Sequence, residues 1–179
     1  MIRLFAAIEA PIEIGEPLVR RQQGLPGARW RPLETLHVTL RFFGQIAETV
    51  AADLDAELAT ITARPFSLEL EGVGSFGEAT EPRAVWAGVK DEGGALRQLA
   101  GRCEAAARRA GLKPEGRAYH PHLTLAYLRH AEPVRVAAWI QGHNLLKSPP
   151  FPVTWFGLYS SWPTSEGSRY ELEREYPLG

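Results

Sequence analysis

A short tetrad occurs once in each half of the chain, as His37-Val38-Thr39-Leu40 and again as His122-Leu123-Thr124-Leu125. The same order of elements surrounds both copies, and each tetrad lies in the middle strand of its half. In the first half the pattern predicts a buried strand over 2–9, a helix over 13–24, an alternating strand over 35–43, a helix over 47–62 and a strand over 66–74. In the second it predicts a strand over 84–89, a helix over 95–110 ended by Gly111, a strand over 119–128 and a helix over 132–141. Strands at 151–161 and 169–176, joined by the Pro163–Gly167 turn, close the chain. Two clusters of Gly and Pro, 72–82 and 142–152, interrupt it, and the first falls near its middle.

Ser67 to Glu71 alternates cleanly between apolar and polar, the mark of an antiparallel sheet with one wet face. The expected fold is therefore α+β: a bilobal, pseudo-duplicated domain with lobes of approximately 1–80 and 81–179. Antiparallel sheets face a central cleft and helices cover the outer faces.

Strand periodicity says what each tetrad presents. His37, Thr39 and Arg41 share one face by parity while Leu36, Val38, Leu40 and Phe42 share the other. His120, His122 and Thr124 likewise share a face, opposite Leu123 and Leu125. If the two strands meet at the lobe junction, two imidazoles and two hydroxyls converge on one cleft. That set suits hydrolysis of a cyclic phosphodiester. One histidine takes a proton from water, the other gives one to the departing ribose oxygen, and the threonines hold the non-bridging oxygens. No metal, cofactor or covalent intermediate is required. A three-histidine zinc site of His37, His120 and His122 is the alternative, weakened by the absence of an obvious carboxylate to orient it.

The other residues narrow the field. The 179 residues, 45% hydrophobic and 23% charged, suit one soluble globular domain. No apolar run approaches the ~18–20 residues of a membrane span, and the opening apolar run stops at Glu9 and Pro11, too short for a secretory signal. A cytoplasmic, monomeric protein without membrane association is expected. A net charge of −1 gives no global field for nucleic acid, but 17 Arg against 3 Lys leaves room for a local phosphate site. The lone Cys103 sits among Leu96, Leu99 and Ala107 at helical spacing and reads as a buried, inert thiol. His130 and His143 read as surface residues. Trp30, Phe43, Trp86 and Tyr119 read as core residues, with base stacking as their alternative use.

The paired H-x-T-x motifs and their flanks resemble the two-histidine phosphoesterase superfamily, in its bacterial RNA 2′,3′-cyclic phosphodiesterase branch, also called 2′-5′ RNA ligase. The likeness includes Arg3-Leu4-Phe5, the run Leu36 to Gly44, the run Pro82 to Val89, and Pro121-His122-Leu123-Thr124-Leu125-Ala126. It extends to Tyr170-Glu171-Leu172 and Tyr176-Pro177-Leu178. The resemblance implies opening of a terminal 2′,3′-cyclic phosphate on RNA to a 2′-phosphate. His37 would be the proton donor and His122 the proton acceptor, with 2′-5′ joining a secondary activity. Small nucleoside cyclic phosphates are the alternative substrate, and a non-catalytic RNA-end-binding module the alternative function.

The family usually carries an arginine where this chain has Tyr127. Arg41, by parity on the His37 face, is the first candidate to replace it. Arg129, of opposite parity to His122, would need a bulge in the strand to reach the phosphate. The hydroxyl of Tyr127 itself is the third candidate.

Overall fold

The computed structural model describes all 179 residues. Nine strands and four α-helices follow one another as β1 (Ile2–Glu9), α1 (Ile12–Val19), β2 (Ala28–Trp30), β3 (His37–Ile46), α2 (Glu48–Leu58), β4 (Phe66–Glu78), β5 (Glu81–Lys90), α3 (Ala95–Arg109), β6 (His122–Leu128), α4 (Pro133–His143), β7 (Phe151–Val153), β8 (Trp155–Thr164) and β9 (Gly167–Pro177). A single 3₁₀ turn, Leu33–Thr35, leads into β3.

The strands form one curled antiparallel sheet in the order β7-β4-β5-β6-β3-β1-β8-β9, with β2 paired to β6. Its two halves mirror one another about the β3–β6 seam, where the single registered pair is Val38 with Leu123. The α+β expectation holds, and the two antiparallel sheets are halves of one. The division near residue 80 does not follow the strand pairing. Strand β4 crosses to pair with β5, and β8 crosses back to pair with β1. The run expected as one strand over 151–161 is broken at Thr154, with β7 serving β4 and β8 serving β1.

One apolar core lies between the sheet and its helices. Leu4, Ala6 and Ile8 from β1, Val38 and Leu40 from β3, and Leu123 and Leu125 from β6 meet Leu54 and Leu58 of α2 and Leu96, Leu99 and Cys103 of α3 there. Strand β1 reads as an unbroken apolar run because its other face is also covered. Phe5 and Ala7 join Tyr159 in a small separate cluster on the opposite side of the sheet. That second side is the cleft. Cys103 is wholly buried and its thiol is pushed up to about 12 by desolvation, as its helical setting predicted.

Helix α1 is shorter than its apolar pattern suggested. After it the chain turns through Gly24 and Gly27, both at positive φ, into β2, a three-residue strand that carried no periodic signal. Strand β6 begins at His122 rather than at Tyr119, since Pro121 has no N–H for the ladder. No helix is long and apolar enough to cross a membrane.

Candidate active site

The Val38–Leu123 pair determines the geometry of the site. Both side chains point into the core, so their neighbours point into the cleft. Antiparallel pairing then sets Thr124 beside His37 and Thr39 beside His122. All four are half-buried. The residues whose convergence depended on the two strands meeting are thus brought together.

The two imidazoles are held alike. His37 Nδ1 lies 2.7 Å from the Thr35 carbonyl, and His122 Nδ1 lies 2.7 Å from the His120 carbonyl. A carbonyl only accepts, so each Nδ1 carries its proton and each neutral ring keeps its lone pair on Nε2. His37 Nε2 accepts from the Thr39 hydroxyl at 3.0 Å. The His37 ring stacks on Phe5 at 5.0 Å and meets the edge of Tyr170 at 5.4 Å. His122 packs edge-on to Phe76 at 4.7 Å, and Trp86 lies behind it at 6.4 Å. Trp86 lies flat over Gly74, where a Cβ would be 2.4 Å from the indole ring.

Burial lowers the pKa of both histidines. For His37 desolvation is the main cause, with smaller contributions from Arg31 and His122, against the raising effect of the Thr35 carbonyl. The result is about 4. His122 is lowered by desolvation and by His120, against the raising effect of the His120 carbonyl. Both rings are therefore neutral at pH 7 in the free protein.

Each motif strand bulges just past its threonine. Ala6 and Ala7 of β1 pair with Arg41 and Thr39, leaving Leu40 as the extra residue. Val85 and Trp86 of β5 pair with Ala126 and Thr124, leaving Leu125 extra. A bulge inverts the alternation beyond it. Arg41 therefore turns to the helix side and not to the cleft. Its Nε donates to Glu104 Oε2 at 2.5 Å and its other nitrogens reach the carbonyls of Phe42 and Lys113. Phe42 takes the cleft side instead and packs on Phe5 at 5.7 Å.

The matching bulge in β6 turns Tyr127 to the cleft. Arg129 lies past the end of the strand, exposed. His120 stands 5.9 Å from His122 between Phe76 and Trp86, and no three His, Cys, Asp or Glu side chains gather as a ligand set. His130 is exposed, and His143 is on α4 with Arg21 and Trp139.

Of the aromatic candidates only Trp86 borders the pair. Trp30 packs on Trp139, Phe43 is core, and the Tyr119 hydroxyl donates to the Thr39 carbonyl, tying the approach to β6 onto β3. Sequence reasoning missed Arg31, Phe5, Phe76 and Tyr170.

Residues 10–161 match the 2′-5′ RNA ligase superfamily. The chain belongs to this family. An Aeropyrum pernix member named RNA 2′,3′-cyclic phosphodiesterase is 41% identical over 98 residues, 55% of this chain and 56% of that protein. An Archaeoglobus fulgidus member of the same name is 31% identical over 95% of this chain and 97% of its own. The fold superposes on the crystal structure of Escherichia coli LigT complexed with 3′-AMP with a TM-score of 0.81 at 29% identity, covering 99% of this chain and 98% of that one. Within the 2′-5′ RNA ligase superfamily the tetrads of this chain thus sit on a sheet of the same form.

Proposed function

We propose that the chain is an RNA 2′,3′-cyclic phosphodiesterase that hydrolyses a terminal 2′,3′-cyclic phosphate to a 2′-phosphate and a free 3′-hydroxyl. One observation carries this reading above the others: two imidazoles across one seam, each tethered at Nδ1, so that Nε2 (which on His37 accepts the Thr39 hydroxyl in the free protein) is the atom left for proton transfer. The names of the relatives support RNA as the substrate.

The chemistry follows from that pair. His122 Nε2 takes a proton from water as its oxygen attacks phosphorus. The P–O3′ bond breaks, and O3′ takes the proton of the His37 imidazolium. Both rings are neutral in the free protein, so His37 acquires that proton together with the substrate, whose anionic phosphate favours the charged ring. Thr39 and Thr124 flank the two rings and donate to the non-bridging oxygens, which holds phosphorus in line between acid and base.

A metal plays no part in this scheme. Turnover of a cyclic-phosphate RNA is expected to survive exhaustive chelation unchanged. Activity that vanishes with EDTA and returns with zinc would replace this mechanism by one built on His37, His120 and His122.

A further inference from the structure

Arg31 emerges from β2 into the seam, and its backbone is tied to the second motif strand. Its N–H donates to the Leu125 carbonyl at 2.8 Å, and its own carbonyl accepts from Gln22 Nε2 at 2.9 Å. The residue is only 6% exposed, yet no carboxylate lies within 4.0 Å of its guanidinium. Its one side-chain hydrogen bond donates from Nη2 to the Tyr170 hydroxyl at 3.2 Å. The rings of Tyr127 and Tyr170 each lie 5.5 Å from Cζ.

A buried guanidinium without a counter-ion is costly, and two tyrosine faces recover only part of that cost. By contrast, Arg41 is neutralised by Glu104. The unpaired charge stands one ring away from the first catalytic candidate, because the edge of Tyr170 also meets His37. A group that arrives with negative charge would complete it.

We propose that Arg31 grips the phosphate of the substrate, its guanidinium taking a non-bridging oxygen beside His37. It delivers from the end of β2, one residue past Trp30, the cation that the second motif lacks at Tyr127. The identity of the anion rests on the phosphodiesterase reading above; the need for one does not. The arrangement also links binding to protonation. Arg31 holds down the proton affinity of His37 in the empty site. A bound phosphate offsets that charge, so His37 becomes an acid when there is something to protonate.

The test uses Arg31→Met, which keeps an apolar stem between the two tyrosine rings, and inorganic phosphate as the probe. Phosphate binding, followed through the His37 and His122 ring signals in NMR, is expected to weaken about 10–100-fold, the range of a lost charge-assisted hydrogen bond. The variant should melt at the same temperature as wild type or higher, because an uncompensated buried charge is gone. Adding Tyr127→Arg should restore binding, since it places a guanidinium where the ring now touches Arg31. Unchanged phosphate binding in Arg31→Met, or a lower melting temperature with no recovery in the double variant, would overturn the proposal and leave Arg31 a structural residue. Arg31-dependent phosphate binding in a protein that leaves cyclic-phosphate RNA untouched would instead sustain Arg31 and overturn the phosphodiesterase reading.

Discussion

Replacing either motif histidine by alanine is expected to lower turnover of a cyclic-phosphate end by about 10²–10⁴-fold, the usual worth of a positioned general acid or base. The two losses should differ in form. His37→Ala removes the proton donor and should suffer least with a substrate whose leaving oxygen departs easily. His122→Ala removes the base and gains nothing from a better leaving group.

The pH dependence follows from the lowered proton affinities. The working state of the pair carries one proton, and His37, at about 4, and His122 both bind it more weakly than an ordinary imidazole at 6.5. The pair titrates as a unit, so kcat/KM should be bell-shaped with its maximum on the acid side of 6.5. Above the higher apparent value it should fall about tenfold per pH unit. Phosphate raises the acid in the complex, so the alkaline limb of kcat should lie higher than that of kcat/KM. Near wild-type turnover in either alanine variant would remove that residue from the mechanism.

The largest effect expected on the fold lies beside the site. Leu70 pairs with Val89 and Val73 with Ala87, so Glu71 and Gly72 bulge together against Gly88. A Cβ on Gly88 would sit 2.3 Å from the Glu71 carbonyl oxygen, a backbone atom in mid-sheet that cannot swing aside. Gly88→Ala should cost about 2–3 kcal/mol and lower the melting temperature by on the order of 5–10 °C. Gly88 is also the β5 partner of His122, so activity should fall with it. Gly101 in α3 has nothing within 4 Å of its Cβ position. Gly101→Ala should therefore stabilise by about 0.5–1 kcal/mol. A Gly88→Ala protein melting within about a degree of wild type would mean that β4 can move away from β5 freely.

How far the sequence was readable depends on the range of the interactions. Alternation along β3 and β6 was enough to place His37, Thr39, His122 and Thr124 on one side, because those residues precede the bulges. Beyond Thr39 and Thr124 the same rule inverts. An extra residue leaves no mark on composition, so Leu40 and Leu125 look like any other strand leucine. For that reason simple alternation puts Arg41 on the cleft face and Phe42 on the opposite one, whereas in the fold each does the reverse. The repeated element order was visible, but β4 and β8 pair across the halves, and nothing local to either strand records its partner. Arg31 was invisible for a similar reason. Its significance comes from Leu125, Tyr127 and Tyr170, about a hundred or more positions away, and locally it is one irregular residue between a three-residue strand and Pro32.

The reaction is tested most directly by analysis of the RNA end it leaves. RNA with a terminal 2′,3′-cyclic phosphate, incubated with the purified protein, should yield ends carrying a 2′-phosphate and a free 3′-hydroxyl, and His37→Ala and His122→Ala should yield almost none. A 3′-phosphate product, or RNA recovered with its ring intact, would contradict the account.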